Sequence, residues 1–322
     1  MVKKVLLSLV AVCIVAVVAA VYFLGPTLGA VFTGRAIFLG HDSPKRYGES
    51  VLTLAETQGI YADSQEFARA KVEVQAAMNT ADSREDLYEP LRKAVKAAGG
   101  KHSNLITPQE NVEAEAAIAT DERPSIDKHG ETVTVKVPSV SRKADGQSYA
   151  DTIAAGVEDA KCVVVDLRGN GGGDMGPMVA GLSPLLPDGE ALFFHSAMGD
   201  NPVTVDGTST SGGGTSLSVN AQKNIGVPIA VLVDAETASS GEATMLAFKG
   251  LDNAVSFGKP TAGYASANAV YDFPDSSSLV LTIAQDMDRN GDIYGDEPVA
   301  PDHVVDDAAA AASTWLSQHD CR

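Results

Sequence analysis

Residues 229–250 constrain the fold of this chain more than any other stretch. Ile229-Ala230-Val231-Leu232-Val233 is an uninterrupted apolar run between Pro228 and Asp234, and its length, β-branched content and boundaries predict a buried strand. After Glu236-Thr237-Ala238-Ser239-Ser240-Gly241-Glu242, the good helix formers of residues 243–249 end on Lys249 and the stop Gly250, which predicts a helix. A serine in so sharp a strand-to-helix turn sits among unpaired backbone N–H groups at the positive end of a helix dipole, where a developing oxyanion is stabilised. Ser239 or Ser240 could equally cap the helix with no chemistry at all, so a second feature has to decide.

That feature lies at residues 162–174. Cys162-Val163-Val164-Val165-Asp166-Leu167 has the pattern of a fully buried strand, and it ends in Arg168-Gly169-Asn170-Gly171-Gly172-Gly173-Asp174. Glycines this dense mean that the backbone itself approaches something closely or takes positive φ. A phosphate cradle would need G-x-G-x-x-G or a Walker lysine, and neither is present. An oxyanion hole needs only a bare glycine N–H opposed to the N–H that follows a nucleophile.

The N-terminus sets the compartment. Residues 5–24 carry no charge and are long enough to span about 30 Å of hydrocarbon as a helix. Lys3 and Lys4 precede them, so the positive-inside rule leaves residues 1–4 as a cytoplasmic tip and everything beyond Gly25-Pro26 outside. A cleaved signal peptide ending near Ala19-Ala20 is the rival, but the apolar stretch is too long for its usual core. Cys13 is then a membrane-facing thiol.

Lys3 and Lys4 are two of the 24 basic residues, so beyond them 42 Asp and Glu face 22 Lys and Arg, a formal charge of −20. Such acidity argues against nucleic-acid and anionic-lipid partners and steers cationic ligands inward, although acidic surfaces also serve plain solubility. Only Cys162 and Cys321 lie beyond the anchor. They form either one bridge tying the C-terminus to the core or two free thiols.

Residues 25–100 read as a small helical bundle. Ser43-Pro44 starts one helix, which ends at Gly59; Asp63 opens a second, with Phe67, Ala70, Val74 and Ala77 on one side. Ser83 to Asp86 resembles a capping box for a third, which carries Leu87, Leu91 and Val95 through Pro90 to Gly99-Gly100. His102 follows that stop on a loop, in competition with His41, His129, His195, His303 and His319. Residues 105–127 read as loop or short helices, 132–137 as a half-buried strand, and 148–160 as a helix. Residues 207–218 read as a mobile loop or hairpin tip, and a polyalanine helix with Trp315 and Leu316 follows Asp306.

Together, VVVDLRGNGGG and VLVDAETASSGEA resemble the C-terminal processing, or tail-specific, serine peptidases over roughly residues 85–305. The resemblance implies a mixed α/β core of the ClpP/crotonase kind, with Ser239 as nucleophile and Glu242 at the family's acidic position. It also implies an oxyanion hole from Ser240 N–H and an N–H of Gly171 or Gly172. Two departures stand out. GKPTAGYAS has Tyr264 where the family usually has its general-base lysine, with Lys259 out of register, and the interval between His102 and Cys162 leaves no room for a PDZ domain. Both point to a branch of the family that confers resistance to lantibiotics, which implies a Ser-His dyad with His102 as base.

The chemistry agrees that an imidazole is the natural substitute for a missing lysine. His303 after Asp302 is its rival, in the chain order of an α/β-hydrolase, but Thr237 occupies the first glycine position of that fold's G-x-S-x-G elbow. Tyr264, Asp296 and Glu297 are further candidates to orient or support the site. Asp286, Asp288, Asn290, Gly291 and Glu297 fit positions 1, 3, 5, 6 and 12 of an EF-hand calcium loop. The flanks at 278–284 and 293–294 read as strands, however, so a hairpin turn is expected there and no metal or other cofactor is assigned.

The expected organisation is a tip at 1–4, an anchor at 5–24, a bundle at 25–100, a cap at 101–160, a peptidase core at 161–305 and a C-terminal helix at 306–322. The expected function is that of a membrane-anchored, outward-facing serine endopeptidase cutting a peptide near its C-terminus, which the resemblance makes a cationic lantibiotic such as nisin. The alternatives are a non-catalytic, surface-anchored peptide-binding or immunity protein and a general C-terminal processing peptidase.

Overall fold

The computed structural model describes residues 2–40, 43–118 and 122–321. His41, one of the competing histidines, and Met1 of the N-terminal tip lie outside them. The chain forms two compact units, Met1–Ala116 with Asn268–Ile283 and Ala117–Ala267 with Ala284–Arg322.

The first unit begins with the helix Val2–Thr33, in which Leu9–Thr33 is long and apolar enough to cross a membrane. The sequence suggested an end at residue 24, but the helix runs on through Pro26. A helical proline leaves the carbonyl four residues earlier without its N–H. Here that carbonyl belongs to Tyr22 and takes a hydrogen bond from Arg46 Nη2 at 2.7 Å instead. The helices Pro44–Gln58, Gln65–Met78 and Glu85–Gly99 follow. Ser43 caps the first by accepting Arg46 N–H at 3.3 Å, and Ser64 caps the second by accepting Phe67 N–H at 3.1 Å. Of the expected capping box on the third, the half in which Asp86 accepts Ser83 N–H is present at 2.9 Å, with Arg84 at the cap position.

Their inner faces bury Tyr47, Leu54, Phe67, Leu87 and Leu91 with Leu105, Phe273, Leu279 and Leu281, each such side chain contributing about 1.5–3 kcal/mol. The loop expected after residue 104 contains a strand, Asn104–Ile106, antiparallel to Ser278–Val280. It is followed by the helix Pro108–Ile118. Three alternating residues give too short a pattern to distinguish from loop.

The second unit is built on a six-stranded sheet. Its order is His303–Val304, Ala254–Gly258, Ile229–Val233, Cys162–Asp166, Thr132–Lys136 and Ser125–His129. All neighbours are parallel except the last pair. Alternation sends Val163, Val165, Ile229, Val231 and Val233 to one face, where they pack with Ile153, Met178, Leu182 and Leu246. Cys162, Val164, Ala230 and Leu232 go to the other, against Ala308, Ala312 and Leu316 of the C-terminal helix Ala308–Ser317. Burial on both faces explains why these central strands read as unbroken apolar runs. A disulfide joins Cys162 to Cys321, resolving the alternatives in favour of the bridge.

Other boundaries moved. The helix after the serine turn is Ser240–Leu246, three residues earlier than its composition suggested. Residues 189–206, unassigned from sequence, form the hairpin strands Gly189–Ser196 and Gly199–Asp206, and of the loop or hairpin tip expected at 207–218 the structure has the hairpin, with strands Ser209–Ser211 and Leu217–Ser218. The EF-hand-like stretch is a turn closing the strand Ser278–Asp288. Asp288 accepts Asn290 and Asp292 N–H groups at 2.9 and 3.1 Å, and only a single bridge, Met287 to Ile293, stands where a second strand was expected.

Candidate active site

Two loops meet at the C-terminal ends of the adjacent parallel strands Cys162–Asp166 and Ile229–Val233. The first is the glycine loop. Arg168 Nε and Nη2 clamp the Asp166 carboxylate at 2.8 Å each, and Asp234 accepts Gly169 N–H at 3.0 Å. The Asp166 carboxyl stays below the usual range although burial opposes it, because Arg168 and Lys136 hold its charged form.

Asn170, fully buried, organises the turn. Its carbonyl accepts Ala238 N–H at 2.8 Å, its Nδ2 donates to Val137 C=O at 2.8 Å, and its Oδ1 accepts Gly172 N–H at 2.9 Å. Gly171 N–H donates to Ser139 Oγ at 2.8 Å. Both glycine N–H groups nominated for an oxyanion are therefore already bonded in this structure, Gly172 within the loop and Gly171 to Ser139 outside it.

The second loop carries the serine. Thr237 is buried, its hydroxyl donating to Leu167 C=O at 3.0 Å and accepting Asp234 N–H at 3.0 Å, which stitches this loop to the first. Ser239 has φ 54° and ψ −119°, a conformation that side-chain-bearing residues avoid at a cost of about 1–3 kcal/mol. A Cβ on Gly172 would lie 2.9 Å from Ser239 Cβ and 3.1 Å from Ser240 N, so only glycine lets the two loops come this close. Ser240 donates its hydroxyl to Gly173 C=O at 2.7 Å. As the first residue of its helix it has an N–H with no intrahelical acceptor.

What holds Ser239 in this backbone conformation is Glu242. Its carboxylate is fully buried and accepts four hydrogen bonds, from Ser239 N–H at 2.8 Å, Gly263 N–H at 2.8 Å, Tyr264 N–H at 2.7 Å and the Thr261 hydroxyl. Residues 261–264 are thereby pinned beside Ser239, and Ala262 N–H adds a bond to Thr237 C=O at 2.9 Å. Tyr264 meets this cradle through its backbone. Asp286 lies below it, buried with one carboxylate oxygen lacking a partner, and desolvation, with the Glu242 charge adding to it, pushes its carboxyl well above the usual range.

Ser239, Ser240, Gly171, Gly172, Glu242 and Tyr264 thus converge in the second unit. Asp296 and Glu297 lie on a bend of the same unit, against whose backbone Gly263 packs within 3 Å of where a Cβ would stand. Lys259 is exposed, with Nζ 3.6 Å from Asp306. His303 stacks on Phe257 at 5.1 Å, while Asp302 accepts the N–H and hydroxyl of Ser256 and pairs with Lys249. The aspartate of the hydrolase-like order is therefore engaged away from His303.

His102 belongs to the first unit. The Cβ of any residue replacing Gly99 would fall 2.1 Å from Ser103 Oγ, and Gly100 has φ 78°, so the Gly-Gly stop is what permits this turn. Ser103, fully buried, accepts Thr282 N–H at 2.8 Å and fixes the backbone beside the histidine. Desolvation, with help from Lys101, lowers the His102 imidazole to about 4. It is therefore neutral near pH 7, the form that can accept a proton.

Sequence reasoning missed Asn170, Thr261, Gly263 and Asp286. Asn170 was hidden among glycines that seemed to explain the turn, and Thr261 and Gly263 sat within a motif examined only for its absent lysine.

Comparisons with known proteins identify the family. The family model described as Peptidase family S41 matches residues 131–305. The nisin-resistance protein of Lactococcus lactis subsp. lactis is 34% identical over 321 residues, 98% of this chain and 97% of that protein. Among solved structures, a lipoprotein from Streptococcus agalactiae superposes with TM-score 0.74 at 26% identity, covering 88% of this chain and 99% of that one. The photosystem II D1 C-terminal processing protease, at 13% identity and TM-score 0.59 over 86% of this chain and 97% of that one, shares the fold. The chain belongs to peptidase family S41, the C-terminal processing peptidases, and is a serine peptidase.

Proposed function

We propose that this peptidase is anchored in the cell membrane by its N-terminal helix, faces outward, and cuts a cationic lantibiotic such as nisin near its C-terminus. The observation that carries the assignment of the nucleophile is the backbone of Ser239, held at φ 54° by the Glu242 carboxylate. Strain of this kind persists only where surrounding structure over-determines it, and it presents the hydroxyl at the tip of a turn. The substrate class is supported by the full-length similarity to the nisin-resistance protein, and cationic character by the acidity of the chain.

In the proposed reaction neutral His102 accepts the Ser239 hydroxyl proton as Oγ attacks the scissile carbonyl. The oxyanion receives Ser240 N–H and an N–H of the glycine loop. Gly172 serves in this role once its N–H turns from Asn170 Oδ1 to the substrate. The imidazolium returns its proton to the departing amine, and water then releases the acyl group by the reverse proton path.

Mass analysis of nisin incubated with membranes carrying the full chain tests this. The expected result is a truncated peptide with the parent and with His303→Ala, and intact peptide with Ser239→Ala and His102→Ala. Protection of cells with the peptide mass unchanged would overturn the proposal in favour of a sequestering protein. Cleavage of unrelated C-terminal tails at equal rate would make this a general processing peptidase.

A further inference from the structure

The anchor helix is longer than a membrane span requires, and its surplus is built into the protein. No charge occurs between Lys4 and Arg35. At 1.5 Å per residue that run is about 45 Å long, matching a bilayer with both headgroup layers rather than the hydrocarbon alone.

The last two turns of the helix Val2–Thr33 are two-sided. Pro26, Gly29 and Ala30 are buried against the first unit. Gly29 faces the Ile37 side chain so closely that a Cβ would stand 2.7 Å from it, and Ile37 N–H reaches back to Gly25 C=O at 3.4 Å. Arg46 pins the junction. Its Nη2 donates to the Tyr22 carbonyl at 2.7 Å, its Nη1 to Leu39 C=O at 3.3 Å, and its guanidinium lies 3.9 Å over the Tyr22 ring.

The opposite side is apolar and open. Phe32 is 81% exposed, with Leu28 and Val31 exposed on the same helix, and this surface continues without a charged residue from Phe23 and Leu24; Ile37 and Leu39, on the segment that returns along the helix, are exposed as well. We propose that Leu28, Val31, Phe32, Ile37 and Leu39 form a seat that inserts into the outer headgroup layer of a phospholipid bilayer. The first unit is thereby mounted rigidly on the membrane instead of swinging on a linker. The occupant is lipid because the face prolongs the membrane-crossing surface of the same helix. The proposal rests on the helix being a membrane anchor.

The test uses the full chain in phosphatidylcholine nanodiscs with tryptophan placed by Phe32→Trp, Leu28→Trp and, as a control in the span, Phe23→Trp. Each is read as a difference from the parent, whose single tryptophan is Trp315. The expected result for both seat positions is a blue-shifted emission, quenching by a nitroxide at the lipid headgroup, and loss of quenching by aqueous iodide. Iodide-accessible emission that the lipid nitroxide leaves unchanged, with Phe23→Trp quenched by a deep nitroxide, would overturn the seat while leaving the anchor. An unquenched Phe23→Trp would overturn the anchor and the seat with it. Shielding from iodide that depends on protein concentration, with no lipid quenching, would show a second copy covering the face and would also overturn the proposal.

Discussion

Replacing Glu242 by glutamine is the sharpest perturbation of the nucleophile's support, because the two side chains have the same shape and differ in what they can accept. Glu242 receives Ser239 and Tyr264 N–H groups on one oxygen, and Gly263 N–H with the Thr261 hydroxyl on the other. A glutamine amide has a single acceptor oxygen. Placed toward Ser239 and Tyr264, it leaves its NH2 facing Gly263 N–H, two donors with nothing between them. Thr261 cannot fully compensate by rotating, since its hydroxyl already accepts Val299 N–H at 2.9 Å. One hydrogen bond to a charged group is lost outright, at about 1.5–3 kcal/mol, and the others weaken to neutral ones. A net cost of about 3 kcal/mol lowers Tm by about 6–12 °C for a unit of this size. Ser239 is then held in its strained φ only by a weaker, neutral bond beside a displaced 261–264 segment, and misplacing a nucleophile by about 1 Å costs about 100-fold in turnover. Thermal melting of Glu242→Gln and its kcat on the parent's substrate measure the two effects separately. A variant melting within about 2 °C of the parent and retaining parental kcat would refute the claim that Glu242 holds Ser239 in its working conformation.

Under the proposed Ser-His mechanism, the lowering of His102 to about 4 from 6.5 sets the acid limb of activity. At pH 5.5 an unperturbed histidine would be about 9% neutral and His102 about 97%, so kcat/KM should fall little between pH 7 and 5.5 and drop steeply near 4. Because the unfolded chain takes up that proton more readily, the stability owed to neutral His102 is complete above the unfolded value and declines as pH falls from about 6.5 to 4, as melting across that range would register. Ser239→Gly and Ser239→Ala should both abolish hydrolysis, yet the glycine variant should be more stable by about 1 kcal/mol, seen as a higher denaturation midpoint, since glycine alone takes this backbone conformation freely. Removing the Cys162–Cys321 bridge, which closes a separation of 159 residues, should cost about 5 kcal/mol by chain entropy and about 2–4 kcal/mol by common experience, read from Cys321→Ser melting with and without reductant.

Much of this was legible in the sequence because it is local. Burial on both faces of a parallel sheet writes itself as the apolar runs before Asp166 and Asp234, and the glycine cluster announces close backbone approach. What stayed hidden depends on partners far along the chain. Pro26 looked like the end of the anchor helix because nothing local replaces its N–H, whereas Arg46, 24 residues from Tyr22, supplies the missing bond. Residues 268–283 join the first unit through the pairing of Asn104–Ile106 with Ser278–Val280, and no periodicity encodes that pairing. Glu242 was recognisable as an acidic position, but the three donors from residues 261–264 were not, because two of them are backbone N–H groups and carry no side-chain signal.

The same backbone dependence bears on the proposal that His102 takes the place of the family's usual lysine. Position 264 supports the nucleophile through its N–H, bonded to Glu242 at 2.7 Å, and any residue but proline offers that N–H. The bond that position 264 gives the cradle thus does not depend on which side chain it carries. With tyrosine at 264 the four bonds to Glu242, the Asn170 bond to Ala238 and the Gly172 approach to Ser239 are all in place. In the proposed mechanism nucleophile support and proton acceptance are therefore separable, and His102, carried on a different element, serves a serine whose backbone geometry is already set by Glu242.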